Sequence, residues 1–284
     1  MLRRGQLRQP RVRQLWAADR DEVEACLGRH PLDNVFLRSE VSRGALRQGA
    51  LLGVQRPLDR RLHGVALVGP LLVPWAPAEP DLAALATALR PNLRRVQLMV
   101  GPHDQVERLE ALLAEDLRPI RLLRAVQPHY AVTAERLRIP PGFAPPLRVA
   151  RVQDLERVAR AGAAMHLEEM GLDPLVLDPV GWRERVITMI RRGWVHLWEE
   201  EGRIVFKAEC SAVTAEAVQL QGVWTDPEFR GQGRGTAAMA EVCRRLLQET
   251  AAVTLFVNDF NQAAIRVYEK VGFERIGTMR SVLF

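Results

Sequence analysis

Six residues, Arg230-Gly-Gln-Gly-Arg-Gly235, leave few options for the chain around them. They follow an extended, β-prone run over 218–225 that closes on Asp226-Pro227. Proline has no N–H for a ladder and keeps the residue before it away from helical backbone. A helical pattern follows the loop. Strand, glycine loop and helix together form an arrangement for holding an anion. The glycines let a phosphate approach the backbone, and the N–H groups at the helix start point at it. Arg230 and Arg234 add positive charge beside those donors. The loop lacks the Gly-Lys-Ser/Thr ending of a P-loop. Its glycines at 231, 233 and 235 also miss the Gly-x-Gly-x-x-Gly spacing of a dinucleotide fold. On these residues alone, a loop that only turns the chain is the competing reading.

A chain of 284 residues, 48% hydrophobic and 26% charged, has core material for two domains of roughly 130–150 residues each. The net charge of +6 could point to nucleic acid or an acidic partner. All but two of the 40 basic residues are arginine, however, with lysine only at 207 and 270, and they are interspersed with acids. That bias reads as codon usage in a GC-rich genome, so no nucleic-acid partner is expected. No membrane partner is expected either, because the most apolar region, 62–78, is broken by Gly64, Gly69, Pro70, Pro74 and Pro77. The basic opening residues 1–8 have no apolar core after them and do not read as a secretory signal. Cys26, Cys210 and Cys243 form no metal or redox pair, and the six histidines form no ligand set. Reduced thiols in a cytoplasmic protein without a metal follow, as a monomer or a homodimer.

Strand and helix patterns alternate along the chain, as in an α/β or α+β protein. In the first half, strands are expected at 11–16, 50–55, 63–68, 71–75, 96–100 and 121–130. Helices are expected at 17–26, from 33, at 80–89 and at 104–115. The stretch 139–146, Ile-Pro-Pro-Gly-Phe-Ala-Pro-Pro, suits a semi-rigid linker. It divides an N-terminal α/β domain, 1–138, from a C-terminal domain, 147–284. The second domain opens with a strand at 147–152 and a helix capped by Asp154, echoing the strand and Asp19-capped helix of 11–26. The echo suits a duplicated fold, with an unrelated α/β domain as the alternative. A second helix over 179–192, a hairpin over 194–210, the strand before the glycine loop, a helix to 249, a strand at 253–257, a short helix at 261–271 and a last strand complete it.

That order, with the loop where it stands, resembles the GCN5-related N-acetyltransferase (GNAT) superfamily and its Arg-x-x-Gly-x-Gly coenzyme A loop. A second segment, Asn261-Gln-Ala-Ala264-Ile-Arg-Val-Tyr268-Glu-Lys-Val-Gly-Phe273, resembles the family's Asn-x-x-Ala-x-x-x-Tyr-x-x-x-Gly-Phe pattern at the expected separation. The whole chain is also similar to two-domain, largely actinobacterial predicted acetyltransferases with an N-terminal domain of unknown function. The matching pieces are Gln127-Pro128, Met165-His-Leu-Glu-Glu-Met-Gly-Leu-Asp-Pro174, Val205-Phe-Lys-Ala-Glu209 and Gln221-Gly-Val-Trp224. The implied C-terminal fold is a mixed central sheet flanked by helices. The first domain would be a degenerate half of the same kind that shapes the acceptor cleft.

The resemblance implies acetyl-CoA as co-substrate. Its pyrophosphate would rest on Arg230, Gly231, Gln232, Gly233, Arg234, Gly235 and Thr236. Its pantetheine would lie along a splayed strand at Val223, Trp224 and Thr225, with Val223 nearest the acetyl group and Asn261 also touching it. Tyr268 stands where the family places its general acid. No general base is fixed by spacing. Glu209, on the preceding strand, is one candidate, and Glu168 and Glu169 lie on the acceptor side.

Each of these residues has a plainer reading. Tyr268 could be a core aromatic, Asn261 only a helix cap, Glu168 and Glu169 a solvated face, and Lys207 with Glu209 an ion pair on one strand face. Trp194, Trp198 and Trp224 read as strand packing, and Cys210 as core. The resulting expectation is direct acetyl transfer to a primary amine on a small molecule or protein. The alternatives are a non-catalytic acyl-CoA-binding regulator and, more weakly, a basic protein associated with nucleic acid.

Overall fold

The computed structural model describes residues 9–57, 59–141 and 144–284. The basic opening 1–8, and Gly142 and Phe143 of the proline-rich stretch, lie outside the described residues. The chain divides into two units. The first comprises the described residues of Met1–His129 with Phe256–Asp259 and Ile276–Phe284. The second comprises those of Tyr130–Leu255 with Phe260–Arg275. A single cut at 139–146 would place 276–284 with the second unit, whereas these residues pack with the first.

The first unit runs β1 (Arg11–Leu15), α1 (Arg20–Leu27), α2 (Val35–Ser42), β2 (Leu51–Arg56), β3 (Asp59–Leu67), β4 (Leu71–Trp75), α3 (Glu79–Leu89), β5 (Leu98–Pro102) and α4 (His103–Leu112), and β6 (Leu122–Thr133) begins in it. The second runs β7 (Arg148–Val149), α5 (Leu155–Met170), α6 (Pro174–Leu177), α7 (Pro179–Arg191), β8 (Val195–Glu200), β9 (Arg203–Val213), β10 (Ala217–Thr225), α8 (Arg234–Leu246), β11 (Ala252–Phe256) and α9 (Gln262–Val271), and β12 (Glu274–Leu283) begins in it. Apart from the single-turn α6, the two orders are the same.

The pairings repeat as well. β1 to β4 are joined antiparallel in succession, and β5 joins β4 in parallel. β7 to β10 are likewise antiparallel in succession, and β11 joins β10 in parallel. In the first unit, Met279–Leu283 of β12 then pairs antiparallel with β5. Gln127 serves this unit as a buried link, accepting from Ser281 Oγ at 2.6 Å and donating to Asn258 Oδ1 at 3.0 Å.

The echo at the two openings has a common physical basis. Asp154 stands at the start of α5, but its carboxylate accepts from no backbone N–H of the first helical turn. It accepts from the Arg151 N–H at 2.7 Å and from Arg148 at 2.6 and 2.9 Å. Asp19 does the same, accepting from the Trp16 N–H at 2.7 Å and from Arg13 at 2.8 Å. In both, an arginine on the first strand is tied to an aspartate six residues on, fixing the angle at which the chain leaves the strand. The helix-cap expectation for these two residues is therefore corrected in its partners, though both sit at the expected helix start.

The units differ where the glycine loop stands. Only Ala76, Pro77 and Ala78 join β4 to α3, and the first turn of α3 carries Glu79 and Asp81. Negative charge at a helix N-terminus satisfies the helix dipole and repels an anion. The second unit has eight residues between β10 and α8, and no acid in the first turn of α8.

Apolar faces close each core. Leu72, Leu85, Leu89 and Met99 are fully buried in the first unit; in the second, Val158, Val186, Val195 and Leu197 pack with Trp182 and Trp224. Each such aliphatic side chain contributes about 1.5–3 kcal/mol on burial. No described helix is long and apolar enough to cross a membrane.

Candidate active site

β10 parts from β11 midway and bulges against β9 before pairing with it again up to Thr225. Its parallel ladder to β11 covers only Ala217, Val218 and Gln219. Its antiparallel register with β9 jumps from Gln221↔Glu209 to Trp224↔Lys207, so Gly222 and Val223 bulge opposite the single residue Ala208. A bulge of this kind bends the strand and increases its twist. Past Gln219, then, an edge of β10 is free of β11 and can accept an extended chain by backbone hydrogen bonds.

Two charged side chains of β9 fill the inside of the bulge. Lys207 is fully buried, and its Nζ lies 2.7 Å from Glu209 Oε1 and 2.9 Å from the Gly222 carbonyl. Gln221 Nε2 donates to Glu209 Oε2 at 3.4 Å. Burial raises the Glu209 carboxyl, but the charge and hydrogen bond of Lys207, with smaller contributions from Arg185 and Gln221, outweigh it and bring the group below its ordinary value. The carboxylate is thus ionised at neutral pH. Gly222 has φ +58°, and a Cβ there would stand 3.0 Å from the Glu209 carboxyl carbon and 3.2 Å from Lys207 Nζ. Only glycine suits that backbone and that space. Cys210, one residue on, faces the other way and is buried, its thiol pushed up to about 12 by burial.

The glycine loop begins beyond β10. Asp226 caps a short 3-10 turn by accepting from the Glu228 N–H at 3.0 Å. Gly231 and Gly233 then take left-handed φ values of +75° and +77°, and Gly233 is the N-cap of α8. The first-turn N–H groups of an α-helix have no partner inside the helix, so those of α8 are donors for a ligand. Arg230 Nε donates to the Thr225 carbonyl at 2.9 Å, and its Nη2 reaches Glu168 Oε2 at 2.7 Å. Arg234 is held by Glu200 at 2.5 Å and lies over the Phe229 ring at 4.7 Å and the Trp198 ring at 5.3 Å. Gln232 ties back to the Glu228 carbonyl at 3.0 Å. Gly235 passes so near Thr225 that a Cβ would stand 2.9 Å from Oγ1.

Asn261 caps α9, accepting from the Ala264 N–H at 3.1 Å, which is its plainer reading. Two turns on, Tyr268 is buried, with ring centroids of Tyr130 and Phe273 at 6.5 and 5.7 Å. Burial pushes its phenol above the ordinary value, and the charges of Glu169 and of the Cys243 side chain add to that. The residue is at once core and a protonated hydroxyl within electrostatic reach of Glu169.

The sequence-predicted residues thus fall into groups. Arg230, Glu168 and Thr225 are brought into direct contact, while Glu168 and Glu169 stay exposed. Val223 sits in the bulge. The Trp224 side chain is buried among the core residues of the second unit. Thr236 stands in the first turn of α8. Lys207 is the residue that sequence reasoning undervalued. Its signal is a lysine inside an otherwise apolar strand, Ile204-Val-Phe-Lys-Ala, where burial demands a partner. Gly222 could have been suspected from a glycine inside a strand pattern.

Comparison with known proteins agrees with this layout. Residues 166–273 match the Acetyltransferase (GNAT) family, and residues 49–158 match a domain of unknown function, DUF4081. Among solved structures, an acetyltransferase from the GNAT family of Colwellia psychrerythraea is 13% identical, with a TM-score of 0.60 over 96% of this chain and 99% of that one. A GCN5-related N-acetyltransferase from Sphaerobacter thermophilus is 15% identical, with a TM-score of 0.56 over 96% and 94%. One from Kribbella flavida is 18% identical, with a TM-score of 0.52 over 82% and 86%. At these identities the likeness to the solved structures is one of fold.

Proposed function

From the premise that residues 166–273 form an acetyltransferase domain of the GNAT family, we propose that this protein transfers an acetyl group directly from acetyl-CoA to a primary amine. The observation that carries the reading is one juxtaposition. The strand end freed from β11 runs straight into a glycine loop that opens the N-terminus of α8. The first suits a pantetheine arm, and the second suits the pyrophosphate at its far end.

The thioester carbonyl needs a hydrogen-bond donor as it gains negative charge, and the Val223 N–H is our assignment. The amine nitrogen attacks the thioester carbon, and the carbon–sulfur bond breaks as the tetrahedral intermediate collapses. Tyr268 supplies a proton to the departing thiolate. A phenol kept protonated by burial is suited to that step. Glu209, held ionised, accepts the proton lost by the amine through water. No covalent enzyme intermediate is needed. The acceptor is a small molecule or a protein side chain.

The test is thiol release from acetyl-CoA by the purified full chain across a panel of amines, with Tyr268→Phe as control. Amine-dependent turnover that falls in the variant supports the reading. Tight coenzyme A binding with no turnover on any amine, unchanged in the variant, would favour an acyl-CoA-binding regulator instead.

A further inference from the structure

We infer that Lys207 is a positioning residue that aims the oxyanion donor, by locking the peptide between Gly222 and Val223. The inference rests on the acetyltransferase reading above. Lys207 Nζ donates to the Gly222 carbonyl at 2.9 Å, from inside the bulge. That carbonyl and the Val223 N–H belong to one peptide unit. A trans peptide is planar, with its C=O and N–H pointing in opposite directions. Holding the carbonyl toward Lys207 therefore turns the Val223 N–H the other way, out of the β9 side of the bulge.

Neither Gly222 nor Val223 has a register partner on β9 to fix that plane, and the β11 ladder has already ended at Gln219. The plane of this peptide would be soft without the lysine. A glycine at φ +58° can also reach many other backbone conformations. The second partner of Lys207, Glu209 at 2.7 Å, makes burial of the ammonium tolerable and keeps the lysine from swinging out. The wall formed by the Glu209 carboxyl carbon, at 3.0 Å from a would-be Gly222 Cβ, closes the space in which the peptide could flip.

A merely structural lysine would be expected to affect all ligands alike. An oxyanion-aiming lysine should matter for a ligand with a thioester carbonyl and not for one without it. The experiment is calorimetric titration of the full chain with acetyl-CoA and, separately, with coenzyme A. Lys207→Met leaves a buried carboxylate unpaired and could unfold the domain, so the double variant Lys207→Met/Glu209→Met is measured beside it. We expect Kd for acetyl-CoA to rise about fivefold in the variant that folds, the worth of one hydrogen bond. Kd for coenzyme A should stay within about twofold, because its pyrophosphate contacts are untouched. Equal weakening of both ligands, or of neither, overturns the inference and leaves the acetyltransferase reading standing. Wild-type protein that binds neither ligand overturns that reading and the inference with it.

Discussion

Arg230 spans from the mouth of the glycine loop to Glu168 on α5, its Nη2 2.7 Å from Oε2. Both side chains are nearly half exposed, at 46% and 41%. Such a pair adds less than about 1 kcal/mol to stability. A phosphate offers the guanidinium a stronger, bidentate partner. Glu168→Gln should therefore leave the melting temperature nearly unchanged and coenzyme A affinity within about threefold. Arg230→Ala should weaken coenzyme A about tenfold at low salt, with the difference shrinking as salt screens the contact. Titrations at two ionic strengths decide this, and an unchanged Kd for Arg230→Ala would remove that arginine from the site.

Tyr268 should matter for turnover and not for coenzyme A affinity. We expect Tyr268→Phe to lower kcat about 100-fold, within the usual range for a general acid, with Kd for coenzyme A within about twofold. Burial raises the phenol above its ordinary pKa near 10. The acid thus stays protonated across the neutral and mildly alkaline range, and its ionisation should cause no fall in rate as pH climbs toward about 10. A rate that drops near pH 8 in the wild type and not in the variant would contradict this assignment.

Asp154 links strand, turn and helix in the second unit, and its side chain is fully buried against Arg148 and Arg157. The hydrogen bond from Arg148, opposed by burial and helped by the Arg151 N–H, holds its carboxyl well below the usual range. A depressed folded value means stability present above the unfolded pKa near 4 and lost as pH falls through the folded one. Asp154→Asn should cost about 2–3 kcal/mol at pH 7, short of the full cost of breaking a buried pair because both arginines are about one-third exposed. Urea unfolding at pH 7 and at pH 3 should show the gap between variant and wild type narrowing in acid. An equal gap at both would mean that charge is not what Asp154 contributes.

Gly222→Ala tests the bulge directly. The new methyl would enter a left-handed backbone position at 3.0 Å from the Glu209 carboxyl carbon. We expect a loss of about 1–3 kcal/mol, from the strained φ and the displaced ion pair. Thermal unfolding measures it, and a neutral effect would show that the bulge has room to rearrange.

Much of the fold could be read in the residues because local signals agreed. Proline, glycine and aspartate marked the boundaries of β10, α5 and α8, and apolar periodicity separated helices from strands. The stretch 147–152 was the weakest reading, since only Arg148 and Val149 pair. A proline at 174 favours a break in the sequence, whereas Pro174 opens a short helix that Asp173 caps by accepting from the Leu175 N–H at 2.8 Å. The site divided along the same line. Arg230 stands out in the glycine loop itself, and Asn261 and Tyr268 through the resemblance of their segment to the GNAT pattern, whereas Lys207 reads from the sequence as one half of an ion pair. Its second bond runs to a carbonyl 15 residues away on another strand.

By itself, then, the sequence determined the order of elements, the glycine loop before α8 and the Asn261–Tyr268 segment. Each is written in residues that lie close together along the chain and act through local backbone preferences. Only the tertiary structure decided that β10 bulges at Gly222 and parts from β11 after Gln219. It also decided that a buried lysine stands behind the bulge, and that 276–284 pack with the first unit. Those outcomes depend on strand register and on burial between distant segments, where small differences in packing choose among pairings that local preference leaves equal.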